Sequence, residues 1–462
     1  MIPIALFLAQ AYLIDNATII DGTGKAGYIA DVRISGDKII AIGNLQIAGD
    51  EVIDGRGLVV APGFIDAHSH ADGALDKLES QLRQGITTAI CGQDGGRDIP
   101  VREQKQRTAK AAIRFEFFSG HGGLREAVMK SQSRKAAPYE IRRMEALLDE
   151  DMRAGALGLS SGLEYDAGFA SSTQELIDLA RVASRHGGMY ISHVRDESHG
   201  IFDSINELIR IGKEGRLPAQ VSHIKMAVAD VWGKADRAVG IIEEARKRGQ
   251  DVTADVYPYT YWQSTIRVLT TSRDYKSRQV WIDALKDVGG PANVRLSSYS
   301  PEATWVGKTL DEISKSTGKD APSLIMEIID KTAEGKGKES VIVTAMSEPD
   351  LVTFIKTPWI MFCSDGSGGG SHPRSAGSFP RILGRYVREQ HVISLEEAVR
   401  KMTSLPAWRF KLHDRGLIRE GLSADIVVFD PKTIKDMSTP QKPTALAVGM
   451  HHVFVRGVKH SF

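Results

Sequence analysis

Cysteine is nearly absent. Cys91 and Cys363 are the only two in 462 residues, which excludes a disulfide framework and leaves one bridge at most. A surplus of charge is missing too. The formal balance of +1 gives neither nucleic acid nor an anionic membrane an electrostatic reason to bind. Basic clusters such as Arg246-Lys247-Arg248 read as solvated helix face. No stretch is long and apolar enough to span a bilayer. The apolar start, Met1-Ile2-Pro3-Ile4-Ala5-Leu6-Phe7-Leu8, leads into Ala9-Gln10-Ala11, which has the small-x-small form of a cleavage site. It carries no leading positive residue and is shorter than a complete signal. The reading is therefore cytoplasmic, with export the alternative if residues 1–11 are the end of a signal peptide. What remains is an ordinary globular composition, 42% hydrophobic and 25% charged, on a chain that fits a large barrel plus a satellite domain.

The chain is organised around Pro62-Gly63-Phe64-Ile65-Asp66-Ala67-His68-Ser69-His70. Leu58-Val59-Val60-Ala61 reads as a short buried strand entering this motif, and Phe64-Ile65 resumes it. Side chains two apart on a strand face the same way, so His68 and His70 converge at its end. Two neutral imidazoles on one face suit a borderline-soft divalent metal, zinc above all. An isolated His-x-His is more often a hydrogen-bonded pair in a loop; here the rest of the chain reverses that preference.

Residues 1–58 alternate short β-type runs with turns: Ala17-Thr18-Ile19-Ile20, Asp31-Val32-Arg33-Ile34 and Lys38-Ile39-Ile40-Ala41-Ile42, punctuated by Asp21-Gly22, Ser35-Gly36 and Asp54-Gly55. The same texture returns in residues 406–462, which predicts one small β-sandwich built from both termini. Between them, residues 59–405 repeat strand, loop and helix, the pattern of βα units and a parallel sheet. The predicted class is α/β, a (β/α)8 barrel with a small β-sandwich domain. The stretch from about 260 to 340 is too long for a loop and reads as an inserted subdomain.

Several middle strands end in reactive side chains. Gly85–Cys91 leads to Gly92-Gln93-Asp94-Gly95-Gly96, and Gly155–Ser160 to Ser161-Gly162-Leu163-Glu164-Tyr165. Two further strands end at His193 and His223, and Trp359–Ser364 ends at Asp365. Strand C-termini are where a (β/α)8 barrel builds its active site. Each residue alone has a dull explanation: a core histidine, or an Asp-Gly turn. Four histidines and two acids at the ends of separate apolar strands are instead what one or two divalent ions require. A bound metal lowers the pKa of water and polarises a carbonyl. Asp365 would take the water proton and return it to a leaving amine. The implied chemistry is metal-assisted amide hydrolysis.

With these motifs the chain resembles the amidohydrolase superfamily, and within it the N-acyl-D-amino-acid deacylases (D-aminoacylases). The resemblance is carried by the Pro62–His70 motif and by Gly155-Ala156-Leu157-Gly158-Leu159-Ser160-Ser161-Gly162-Leu163. It extends through Ser192-His193-Val194-Arg195, Ser222-His223-Ile224-Lys225, Ser364-Asp365-Gly366, His372-Pro373-Arg374 and Phe379-Pro380-Arg381-Ile382-Leu383-Gly384-Arg385-Tyr386. It implies a barrel hydrolase in which His68, His70 and Asp365 line the weaker metal position, and His193 and His223 hold the tightly bound zinc. It also implies that Tyr165, Lys225, Arg374 and a serine near Ser298, with Ser297 and Ser300 close candidates, hold the substrate carboxylate. Arg offers a planar fork and Lys a compact charge for that purpose.

One departure matters. The resembling enzymes carry a metal-binding Cys in a Gly-Asn-Cys-Gly turn, where this chain reads Gly92-Gln93-Asp94-Gly95, and Cys91 lies three residues early. Glu164 is the first choice to replace the thiolate, with Asp94 the second and a Glu164–Arg pair the plain alternative. Oxygen in place of sulfur hardens the site, so manganese or cobalt competes with zinc. The expected partner is a small N-acyl amino acid or dipeptide, with oligomeric state open. The competing functions are a dipeptidase acting on Xaa-D-Xaa, a dihydroorotase- or hydantoinase-like cyclic amidase, and a metal-binding barrel without catalysis.

Overall fold

The computed structural model describes residues 11–96 and 99–462, so the possible signal remnant lies almost wholly outside the described residues. Eight short parallel strands form a barrel: Phe64–Asp66, Ile86–Cys91, Arg114–Phe117 continuing through Ser119–Gly120, Gly158–Gly162, Met189–His193, Ala219–Val221, Val252–Val256 and Ile360–Phe362. Each pairs in parallel with the next. The ring closes above the last strand, where Asp365 N–H donates to His68 O at 2.8 Å and His70 N–H to Gly366 O at 2.8 Å. Asp66 fastens the same seam, its Oδ1 accepting from Ser364 N–H at 2.7 Å and its Oδ2 from the Ser364 hydroxyl.

The helices outside the barrel follow from apolar spacing. In Ile201–Gly215 the buried positions Ile201, Ile205, Leu208 and Gly212 recur every three or four residues, one stripe against the sheet. Ser172 caps Thr173–Arg185 by accepting from Glu175 N–H at 3.2 Å. Ser then Glu reads as a capping box, but only its first half forms. The Glu175 carboxylate turns inward to Arg125 at 2.6 Å and His121 at 2.9 Å, because a buried guanidinium needs a counter-charge more than a helix end needs a second acceptor.

The terminal segments assemble one eight-stranded sheet, with Ile426–Phe429 of the C-terminal part beside Val59–Pro62 of the N-terminal part. Tyr12 and Phe454 sit three strands apart in that order, which a flat sheet would separate by about 14 Å. Their rings meet edge-on at 5.2 Å, so the sheet curls over its own core. Two boundaries differ from the sequence reading. Val59–Pro62, which the sequence places at the entry to the barrel, pairs instead in the terminal sheet with Ala11–Ile19 and Ile426–Phe429, and the barrel begins at Phe64 after the Gly63 break. At the other end, the helix Ser404–Arg409 belongs with the barrel. Arg409 is buried and donates to Ala219 O at 2.6 Å and Asp251 Oδ1 at 2.8 Å.

The insert between the seventh and eighth barrel strands has its own antiparallel sheet, Trp262–Ser264, Glu339–Val343 and Val294–Tyr299, covered by the helices Arg278–Asp287 and Ala321–Thr332. Polar ties fasten it over the barrel mouth, among them His199 to Asp287 at 2.9 Å and Arg273 to Asp166 at 3.0 Å. Among the described residues no helix is long and apolar enough to cross a membrane.

Candidate metal centre

The floor of the barrel mouth is a ring of imidazoles and carboxylates. Asp94 stands at its middle. Its Oδ2 lies 3.4 Å from His68 Nε2 and 3.3 Å from His70 Nε2, and its Oδ1 lies 3.4 Å from His223 Nε2. Asp365 Oδ1 faces the first pair at 3.5 and 3.3 Å. His193 Nδ1 faces His223 Nε2 at 3.2 Å. Thus the structure brings together His68, His70, His193, His223 and Asp365 of the sequence reading, with Asp94 between them.

Local backbone conformation produces this convergence. Asp94, His223 and Asp365 all adopt left-handed φ, 56°, 33° and 50°. For residues with a Cβ that region costs about 1–3 kcal/mol each, and such strain collects where function requires it. Each turns the chain sharply where a barrel strand has ended, which aims the side chain across the mouth. Asp255, buried at the end of its strand, holds the second turn by accepting from His223 N–H at 2.8 Å and from Gln220 Nε2 at 2.7 Å.

Without a cation the ring is electrostatically incomplete. Both ring nitrogens of His68 and Oδ1 of Asp94 are buried with no hydrogen-bond partner. Burial presses His70 toward neutrality, yet the carboxylates of Asp365 and Asp94 lift its pKa to about 10. His223 is likewise depressed by burial and by Lys225, but Glu197, Asp365 and Asp94 raise it to about 10. In return Asp94, opposed by burial, is held well below the usual carboxylate range by His68 and His223. Ligands about 2.0–2.1 Å from a tetrahedral metal stand about 3.3–3.4 Å apart. The separations of 3.2 to 3.5 Å found here have that size. The residues fit a divalent ion that His68, Asp94, His223 and Asp365 would hold, with His70 beside the two acids, and His193, His223 and Glu197 form a second group that could hold another.

Glu164 is not brought into this ring. Its Oε2 sits 2.8 Å from His193 Nε2, the ring nitrogen that points away from His223. Burial raises its pKa, while His193 opposes the rise. Cys91 is wholly buried in its strand and unpaired, its thiol pushed well up by burial, and takes no part.

The cations read as substrate-binding are both engaged. Arg374 Nη1 pairs with Asp365 Oδ2 at 2.7 Å, and its guanidinium stacks 4.9 Å from the Tyr257 ring centre. Lys225 Nζ is gripped by both oxygens of Glu197, at 2.6 and 2.7 Å, and lies 2.7 Å from His223 Nδ1. Glu197 was missed in the sequence. The available signal was Lys225 itself, since a lysine buried beside a ligand histidine requires an anion nearby. Tyr165 reaches the ring through its hydroxyl, 3.2 Å from His193 Nδ1. Ser298 does not line the cavity. A β-bulge between Leu296 and Ser298 changes the face, Ser298 pairs with Ser340, and it is Ser297 whose hydroxyl accepts from cavity-lining Gln263 at 3.1 Å.

Above the ring opens a cavity of about 780 Å³. The insert supplies an apolar wall, with Trp262, Val268, Leu269 and Ala284, and Lys225 and Arg374 stand near the floor. That volume suits a small organic molecule with its scissile bond over the ring.

The amidohydrolase family model matches residues 51–458. A D-aminoacylase of Alcaligenes xylosoxydans xylosoxydans is 34% identical, with 96% of this chain and 93% of the relative covered. An N-acyl-D-glutamate deacylase of the same organism is also 34% identical, over 96% and 92%. Among solved structures, an N-acyl-D-glutamate deacylase from Bordetella bronchiseptica, complexed with zinc and a phosphonate mimic of the tetrahedral intermediate, superposes with a TM-score of 0.88 at 30% identity, covering 98% of this chain and 96% of that one. A crystal structure of D-aminoacylase gives 0.86 at 33%, over 97% and 96%. A match to the family model through nearly the whole chain, together with relatives a third identical over full length, places this chain in the amidohydrolase family.

Proposed function

We propose that the chain is a metal-dependent hydrolase of N-acyl-D-amino acids, releasing a carboxylate and the free D-amino acid. The observation that carries it is the run of pairwise separations, 3.2 to 3.5 Å, that links His68, His70, Asp94, His193, His223 and Asp365 on the floor of a substrate-sized cavity. The D-amino-acid class is supported by the relatives, which act on D substrates and align over almost the full length.

In this reading His68, His70 and Asp365 would hold one metal position and His193 and His223 the other, and Asp94, standing where the resembling enzymes carry a thiolate, would be a further ligand beside His68, His70 and His223. Zinc is the first candidate, with manganese or cobalt favoured by the added oxygen ligand. When bound, the metal polarises the amide carbonyl and lowers the pKa of water. Asp365, ionised and at the cavity floor, accepts the water proton and delivers it to the leaving nitrogen. Arg374 receives the substrate carboxylate through the N–H groups of its fork that Asp365 does not use. Lys225 and Tyr165 line the same wall, and Glu197 competes with substrate for the Lys225 charge. Two buried unpaired thiols, Cys91 and Cys363, support the cytoplasm as the compartment.

The test is hydrolysis of paired N-acetyl-D- and N-acetyl-L-amino acids, with dipeptides, by metal-loaded protein. Turnover of the D members supports the proposal; turnover of L members alone, or of none, overturns it.

A further inference from the structure

Glu164 is well placed for a task other than ligation. A neutral imidazole carries one proton, and the nitrogen that keeps it is chosen by the hydrogen bond it makes. His193 Nε2 is 2.8 Å from Glu164 Oε2, whereas its Nδ1 faces His223 Nε2 at 3.2 Å. A carboxylate accepts and does not donate. The contact therefore places the proton on Nε2 and leaves the Nδ1 lone pair aimed into the ring. The opposite tautomer would set a carboxylate oxygen against a lone pair at 2.8 Å. Glu197 Oε2 also approaches His193 Nε2, but at 3.7 Å, and both Glu197 oxygens are already held by Lys225.

Glu164 is itself held from outside the barrel. Arg273, in the insert, donates from Nη2 to the Glu164 carbonyl and from Nη1 to Asp166 Oδ1 at 3.0 Å, with its guanidinium carbon 4.4 Å from the Phe169 ring centre. Asp166 and Phe169 bound the short helix that follows Glu164 in the chain. A single arginine thus binds the backbone on which Glu164 stands, from a segment that also walls the cavity.

We propose that Glu164 is a positioning residue that fixes the Nε2–H tautomer of His193, and that Arg273 of the insert holds Glu164 in place. The inference rests on the metal-centre reading above. It reassigns the acid that the sequence offered first as a ligand: its oxygen serves the far side of an imidazole, as carboxylates beside metal-binding histidines do.

The test needs no substrate, so a failure to find turnover and a failure here are distinguishable. Protein labelled with ¹⁵N-histidine is examined by long-range ¹H–¹⁵N correlation, metal-free and zinc-loaded, and zinc affinity is titrated in parallel. His193, assigned with His193→Gln, is expected as the Nε2–H tautomer in both states. Glu164→Gln keeps an accepting oxygen at the same place, so it should preserve that tautomer and weaken zinc by less than about tenfold. Glu164→Leu should lose the tautomer preference and weaken zinc about 10–100-fold, the usual cost of such a partner. Arg273→Ala, which leaves Glu164 intact, should weaken zinc by a smaller factor and broaden the His193 signal. If Glu164→Gln loses zinc as fully as His193→Gln does, Glu164 is a ligand. If Glu164→Leu leaves tautomer and affinity unchanged, it has no role, and either result overturns the proposal.

Discussion

Asp365 divides its two oxygens between opposite tasks: Oδ2 pairs with Arg374 at 2.7 Å, and Oδ1 faces His70 at 3.3 Å. Burial works against its charge, but Arg374, His223 and His68 hold the carboxyl well below the usual range. The group is an ionised acceptor at the cavity floor, while the pairing with Arg374 keeps the arginine beside the place where a substrate carboxylate would dock.

Asp365→Asn preserves shape and removes the proton acceptor. Turnover should fall by about 10²–10⁴-fold, the usual contribution of a positioned acid–base group. Zinc held by His193 and His223 should remain. Metal analysis and kcat on one preparation decide the matter, and near-wild-type turnover with unchanged metal would remove Asp365 from the proton path.

Asp94 touches both halves of the ring, so Asp94→Ala should lower bound metal and activity together, by about 100-fold or more in activity if two positions collapse at once. Asp94→Cys introduces a thiolate at the same turn. It should retain zinc and lose manganese, because sulfur favours the softer ion. A metal-replete, active Asp94→Ala protein would contradict the central place given to this residue.

Lys401, which is not among the residues of the ring or the cavity wall, offers a pH test of the fold. Its ammonium is wholly buried, donates to Ile355 O and Thr357 O, and burial lowers its pKa to about 7. The unfolded lysine titrates at about 10.4. Between those values the unfolded chain binds more protons than the folded one, so this group makes stability rise with pH. Urea midpoints of wild type minus Lys401→Met should increase from pH 7 to pH 9. A flat or falling difference would mean the folded lysine stays charged.

What the sequence made legible was the chemistry at strand ends. His68, His70, His193, His223 and Asp365 follow apolar runs directly, and a parallel barrel gathers strand C-termini at one mouth. Two barrel strands carry no apolar run that would mark them in the sequence. Arg114–Phe117 alternates charge and phenylalanine, and Val252–Val256 carries Thr253 and Asp255 into the barrel. The structure sets Asp94, not Glu164, beside His68, His70 and His223, and the cause is backbone conformation. The left-handed φ that swings Asp94 across the mouth has no sequence mark beyond its glycine neighbours. The counter-ion of Lys225, Glu197, is brought to it by the fold from 28 positions away, so no local sequence pattern marks the pair. Ser298 was displaced by a single bulged residue, since one residue of slip in a strand exchanges its two faces.

The most direct measurement is a metal titration of chelator-stripped protein against an N-acetyl-D-amino acid, with its L enantiomer alongside. Stripped protein should show no appreciable turnover, D-amino acid release should climb with added zinc and saturate by two equivalents, and the L enantiomer should release little. Equal turnover by stripped and loaded protein, or a zinc-loaded protein that leaves the D substrate untouched, would contradict the proposed function.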